Sequence, residues 1–272
     1  MTASPDQNSD SIELRHCREV AEFQACVDLQ REVWGFSDAD LIPVRMFVVA
    51  SKIGGQVIGA FAGQTIVGFA LSIPGSRDGR TYLHSHMLAV REGYRNSGLG
   101  RRLKLAQRDD AIARKFELME WTFDPLEIKN AYLNIEKLGA IVRRYTINQY
   151  GISSSRLQGG LPTDRCIAEW WLNSNRVRQV LEGGRSINVE PEMVIRVPAH
   201  IYQWKNDPAS RDRARDTQLA NREEFLKAFS RGMAVLGYGR DGEGNGSFLL
   251  AHPEEQFEFS SETERETASS CT

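Results

Sequence analysis

The chain reads as an α/β protein built on a mixed sheet with helices on both faces. Three observations predict this. Segments of strand period and helix period alternate along the chain. A strand, a glycine-bearing turn and a helix follow one another over residues 82–115. The 272 residues are 41% hydrophobic and 26% charged, a balance that can bury a sizeable core.

The elements follow in order. Residues 12–15 form a short strand. Val20, Phe23, Val27 and Trp34 recur at helical spacing. A second helix over 44–53 is closed by Gly54-Gly55. Strands over 56–62 and 65–73 meet at Gly63-Gln64, a hairpin. Pro74-Gly75 and Asp78-Gly79 mark turns before a fourth strand, 82–90. A helix over 100–115 and a strand over 118–123 follow. Asp124-Pro125 opens a helix over 127–138, with Gly139 as its C-cap. Strands over 141–147 and 166–172 come next. Beyond them lie a strand over 193–197, a long charged helix over 209–231, and strands over 233–238 and 247–251. The glycine cluster 239–246 joins two strands, so it reads as a hairpin turn and not as a nucleotide loop. Residues 1–10 and 253–272 are polar and expected to be disordered.

Composition narrows the function. A net charge of −2 gives no basic field for nucleic acid or a membrane surface. Cys17, Cys26, Cys166 and Cys271 have no metal-site spacing, and no metal is expected. They read as free thiols in a reducing compartment. No basic, apolar leader opens the chain, and no apolar run reaches the roughly 20 residues of a membrane span. A cytoplasmic location is the expectation.

The most informative stretch is Arg95-Asn96-Ser97-Gly98-Leu99-Gly100-Arg101. Backbone N–H groups converge where a strand passes through glycines into a helix, and the helix N-terminus adds partial positive charge. Gly98 and Gly100 let a ligand approach the backbone. Arg95, Arg101, Arg102 and Lys104 add positive charge around the loop. This is a candidate pyrophosphate cradle. The glycine order does not fit a dinucleotide fingerprint, and the phosphate-loop Gly-Lys-Ser/Thr is absent.

The Arg-x-x-Gly-x-Gly-Arg spacing resembles the acyl-coenzyme A loop of the GCN5-related N-acetyltransferase (GNAT) superfamily. Met87-Leu88-Ala89-Val90 resembles the end of that family's fourth strand, and Glu92-Gly93-Tyr94 the approach to the loop. Glu136-Lys137-Leu138-Gly139-Ala140 resembles its Lys-Leu-Gly helix end. Together with Leu83-His84-Ser85-His86-Met87-Leu88, Thr122-Phe123-Asp124-Pro125-Leu126 and a long C-terminal extension, the chain is similar to a large, little-characterised bacterial subgroup.

The resemblance implies a GNAT acyl-CoA N-acyltransferase fold over residues 11–175 and a helix-hairpin extension over 176–252, packed on that core. The extension could also serve as a lid or a homodimer contact. It implies acetyl-CoA, or another acyl-CoA, as co-substrate, and an N-acetyltransferase acting on the amine of a small-molecule acceptor by direct attack in a ternary complex. The backbone of Leu88, Ala89 and Val90 would pair with the pantetheine arm. The loop Arg95, Asn96, Ser97, Gly98, Leu99, Gly100, Arg101 would hold the pyrophosphate. Asn130 and Asn134 either contact the coenzyme or are simply exposed polar residues.

The acid–base groups depart from the common family pattern. The usual helix tyrosine is replaced by Ile135, and Tyr132 lies three residues earlier on nearly the same face. It is either the acid for the leaving thiolate or a core residue. The fourth strand lacks the usual glutamate. His84 and His86 share one face of it and are candidate bases or structural histidines. Glu120 is the reserve base. Arg176 is a candidate contact for an acidic substrate. A second reading stays open: a non-catalytic acyl-CoA-binding sensor or interaction module on the same fold.

Overall fold

The computed structural model describes residues 12–183 and 187–253. The expected disordered ends, apart from residue 253, and Cys271 lie outside the described residues. The chain divides into two compact units. The first runs to Phe116 and includes Ser154–Arg156; the second takes Glu117–Ser153 and the chain from Leu157 onward.

The first unit contains β1 (Ile12–His16), α1 (Val20–Trp34), α2 (Val44–Lys52), β2 (Gln56–Ala62), β3 (Thr65–Arg77), β4 (Arg80–Val90) and α3 (Leu99–Ala113). Its strands pair antiparallel in the order β1-β2-β3-β4. Phe23, Val27, Leu29 and Phe47 of α1 and α2 pack with Phe69, Leu71 and Met87 on one sheet face. Leu99 and Leu103 of α3 pack with Ile58, Val67 and Ala70 on the other.

The start of α1 is fixed locally. The Glu22 carboxylate accepts the N–H groups of Arg18 (2.6 Å) and Glu19 (3.1 Å), satisfying donors that precede the helical ladder. Gly35, at φ 66°, ends the helix.

Pro74-Gly75 is not a turn. Both residues continue β3, opposite Leu83 and Tyr82. The reversal comes only at Asp78 (φ 52°) and Gly79 (φ 76°), the left-handed pair that a two-residue hairpin requires. At Gly75 a side chain would meet the Tyr82 ring at 2.7 Å, so its glycine serves cross-strand packing.

The second unit contains β5 (Leu118–Phe123), α4 (Ile128–Tyr132), β6 (Ile141–Thr146), β7 (Arg165–Trp171), α5 (Asn175–Gly183), β8 (Met193–Val197), α6 (Ile201–Asn206), α7 (Arg211–Ser230), β9 (Ala234–Arg240) and β10 (Gly246–Ala251). The strand order is β5-β7-β6-β9-β10-β8. The hairpin β9–β10 thus extends this sheet through the pairing of Val235 with Val142. Phe225 of α7 stacks on Tyr145 and meets Phe248 edge-on.

Three expectations need correction here. The helix over 127–138 runs unbroken from Ile128 to Lys137 but does not stay an α-helix: it widens into a π turn over Leu133–Lys137 before Gly139 (φ 79°) closes it. The long charged helix begins at Arg211, and α6 precedes it as a separate turn. Helix α5 follows β7 directly, where no helix was expected.

Cys17, Cys26 and Cys166 are free and buried. Among the described residues, no group of three or more histidines, cysteines or acids could hold a metal ion, and no helix is long and apolar enough to cross a membrane.

Candidate functional site

The connection from β4 to α3 is a candidate site made of backbone. A 3-10 turn over Glu92–Tyr94 leaves the strand. Asn96 (φ 62°) and Gly98 (φ 80°) then adopt the left-handed conformation, which turns nearby N–H groups toward one concave side. Gly98 precedes α3, and no side chain caps that end. The Arg102 N–H donates to the Gly98 carbonyl at 3.0 Å, so the N–H groups of Leu99, Gly100 and Arg101 stand ahead of the helical ladder. A side chain at Gly98 would meet no atom within 4 Å, and one at Gly100 only Leu88 Cδ2 at 3.6 Å. The glycines therefore keep the approach to the helix N-terminus open; they do not relieve a clash within the chain. Ser97 Oγ donates to the Tyr94 carbonyl (2.7 Å), and Arg95 Nε to the Val90 carbonyl (3.0 Å).

The positive collar around this loop is smaller than the sequence suggests. Arg102 Nη2 donates to the Ile12 carbonyl at 2.8 Å. Lys104 is buried on the inward stripe of α3, donating from Nζ to Ser85 Oγ at 2.7 Å. Burial pushes its amine well below the ordinary range.

Strand β4 carries a bulge beside this loop. Leu71 pairs with Met87 and Ser72 with Ser85, leaving His86 as the extra residue. The His84 and His86 rings lie 6.0 Å apart, centroid to centroid. Burial pushes the His86 imidazole below its ordinary value, which favours the neutral, proton-accepting form at pH 7. Ser85 Oγ donates to Gln107 Oε1 at 2.9 Å. Gln56 Nε2 donates to the Gln107 carbonyl (2.8 Å) and Asp110 Oδ2 (2.7 Å), and Ser72 Oγ to Gln56 Oε1 (2.8 Å).

Glu120, in the second unit, is buried and paired with Arg144. It faces Glu169 across β5 and β7. The β6–β7 ladder slips at Arg143, since Val142 pairs with Ala168 and Arg144 with Ile167. That slip lets two consecutive arginines reach Glu169, Arg143 from Nε at 3.1 Å and Arg144 from Nε at 3.2 Å. Glu120 is thus one corner of a four-residue ionic cluster.

Tyr132 closes α4. Lys137 Nζ lies 5.2 Å from its ring centroid and the Arg240 guanidinium 5.8 Å. Asn130 is exposed, whereas Asn134 is buried in the π turn. Asp124 Oδ1 accepts the Leu126 N–H at 2.9 Å, closing the turn before α4. Arg176 does not face an acceptor: it is buried, donating to the carbonyls of Gly139 (2.9 Å) and Leu236 (2.7 Å). His84, His86, Leu88, Ala89, Val90 and the loop from Arg95 to Arg101 all belong to the first unit. Glu120, Asn130, Tyr132 and Asn134 belong to the second.

Residues 21–131 match the model of the acetyltransferase (GNAT) family. That match covers less than half of the 272 residues. The match spans α1 through Ala131 and so includes the loop, both histidines and Glu120. Solved structures similar to the chain include the ribosomal-protein-S18-alanine N-acetyltransferase of Escherichia coli, at 15% identity and a TM-score of 0.47, covering 66% of this chain and 97% of that one. A GNAT family acetyltransferase of Elizabethkingia anophelis with acetyl-CoA bound is 15% identical, TM-score 0.44, covering 60% and 99%. A GNAT acetyltransferase of Streptococcus pneumoniae is 17% identical, TM-score 0.47, covering 58% and 98%. No curated protein matches the chain.

Two features of the structure escaped sequence reasoning. Lys104 and Gln107 lie on the same helical stripe as Leu99, Leu103 and Ala111, and that periodicity could have shown them to be buried. The convergence of Arg143 and Arg144 depends on a bulge, for which the sequence has no signal.

Proposed function

We propose that the protein is an acyl-CoA-dependent N-acyltransferase, with acetyl-CoA the first co-substrate to test, that acylates the amine of a small molecule by direct attack in a ternary complex. The observation that carries this reading is the open, uncapped start of α3 behind Asn96 and Gly98. Backbone donors of the loop from Arg95 to Arg101 would hold the pyrophosphate, and main-chain groups of Leu88, Ala89 and Val90 the pantetheine arm. The bound coenzyme supplies an activated thioester. His86, kept neutral by burial, with His84 beside it, is the base for the acceptor's proton. Tyr132 is the candidate acid for the thiolate. Glu120, held by Arg144, suits a fixed charge better than a mobile proton carrier.

Calorimetry tests the cradle. Gly98→Val should weaken coenzyme A binding by about tenfold, on the order of 1.4 kcal/mol. Unchanged affinity in a folded variant would remove the loop from the reading. Thiol release with a panel of amines tests turnover. Binding of acyl-CoA with no transfer to any amine would favour a sensor module. His86→Gln should lower turnover and leave coenzyme A affinity unchanged. Because burial depresses its pKa, the acid limb of the wild-type rate should lie below the ordinary imidazole value of 6.5.

A further inference from the structure

The segment from Asp124 to Gly139 contains α4, the π turn and Tyr132. Its helical run is Ile128–Lys137, and the second half is the wider π turn, short of the ~12 residues at which a helix sustains itself in water. Something outside it must hold it, and the supports come from residues that follow β7.

At its start, Lys205 of α6 is 3% exposed. Its Nζ donates to Asp124 Oδ2 at 2.9 Å and to Glu127 Oε1 at 2.8 Å. The other Asp124 oxygen closes the turn into α4. In the π turn, Glu136 Oε1 accepts the Tyr238 N–H of β9 at 2.7 Å. At its end, Arg176 binds the Gly139 carbonyl with Nε and the Leu236 carbonyl of β9 with Nη2. Packing closes the same contact: a side chain on Gly246 would lie 1.9 Å from Tyr238 Oη and 3.2 Å from Ile128 Cγ1. Strand β10 therefore abuts the first residue of α4 with no spare room.

We propose that the chain after β7 is a positioning scaffold for α4 and its π turn, with Lys205 as its principal positioning residue. The consequence for catalysis rests on the acyltransfer reading of Tyr132; the mechanical claim does not. Lys205 acts through Asp124 and Glu127, which set where α4 begins. It touches no reacting group.

The test is hydrogen–deuterium exchange with mass spectrometry on full-length wild type and Lys205→Met, without coenzyme or acceptor. In the variant, amide protection over residues 128–139 should fall about tenfold or more, while α3 keeps its protection. Kinetics on the same samples should show kcat down about tenfold with KM for acyl-CoA within about threefold. Wild-type protection of residues 128–139 in the folded variant would overturn the proposal. If Lys205→Met does not fold, the triple variant Lys205→Met, Asp124→Asn, Glu127→Gln removes the stranded charges with the cation. Lost protection there supports the scaffold, and retained protection overturns it. Absence of turnover in the wild type with every acyl-CoA and amine would count against the acyltransfer reading alone, because the exchange result needs no substrate.

Discussion

The two units differ in how much ionic pairing they bury. Inside the first, Gln56, Ser72, Ser85 and Gln107 form a row of neutral hydrogen-bonded side chains, with the Lys104 amine at one end and the half-buried Asp110 carboxylate at the other. The second buries neutral groups too, such as Thr163, Gln218 and Asn221, but adds ionic clusters: Glu120 and Glu169 with Arg143 and Arg144, Asp124 and Glu127 with Lys205, and Asp164 with Arg222. A neutral pair that loses one member leaves a modest desolvation cost. An ionic pair that loses one member leaves a buried charge. The difference suits what each unit presents. The first offers backbone donors at the start of α3 and needs no fixed charge there. The second must hold a short helix and a π turn in place, and buried ions specify geometry.

The comparison is easiest to break at Asp164. That carboxylate is fully buried. It accepts from Tyr145 Oη (2.7 Å), the Asn148 N–H (3.0 Å), and Arg222 Nε (2.8 Å) and Nη2 (3.1 Å). Burial and the Asp164 hydrogen bond together push the Tyr145 phenol far above its ordinary range. Asp164→Ala strands the Arg222 guanidinium and should cost about 3–5 kcal/mol, measured by urea unfolding. A loss below about 1 kcal/mol would show that the second unit's ions are dispensable.

The matching change in the first unit should be milder. Ser72 is fully buried and makes one neutral hydrogen bond, to Gln56. Ser72→Ala should cost about 1–2 kcal/mol, the price of one unsatisfied amide oxygen. A loss equal to that of Asp164→Ala would erase the distinction between the interiors.

Regular periodicity made most of the framework legible. The strands at 56–62, 118–123 and 193–197 and the helix at 20–34 coincide with the observed elements, because alternation and helical spacing are properties of consecutive residues. The loop from Arg95 to Arg101 was legible for a related reason. Left-handed turns favour glycine and asparagine, and Asn96 and Gly98 are the residues that take that conformation. What stayed hidden is irregularity. The bulge at His86, the slip at Arg143 and the π turn after Tyr132 each add a residue without breaking the local pattern. Each also rotates side chains to another face, which is why Glu120 read as a free acid and not as a partner of Arg144. The supports on α4 were hidden by distance: Asp124 and Lys205 are 81 residues apart in sequence.

The first unit does carry ions at its rim, and these give the smallest expected effect. Glu22 sits at the start of α1, accepting from Arg15 Nη2 at 2.7 Å as well as from two backbone N–H groups. Arg15 is itself placed by the Phe61 ring, 3.7 Å below its guanidinium. Burial pushes the Glu22 carboxyl up, but the Arg15 hydrogen bond and the N–H groups of Arg18 and Glu19 outweigh it and hold the group down from 4.5 to about 2. A depressed carboxylate stabilises the fold above its unfolded pKa and loses that contribution as the pH falls toward its folded one. Glu22→Gln should therefore be less stable than wild type at pH 7, by roughly 0.5–1 kcal/mol because the pair is partly solvent-screened. The two proteins should converge between about pH 4.5 and about pH 2. Urea unfolding across that range reads the difference directly. A gap that stays constant with pH would mean that Glu22 contributes packing alone, and that charge matters as little at the rim of the first unit as it does inside it.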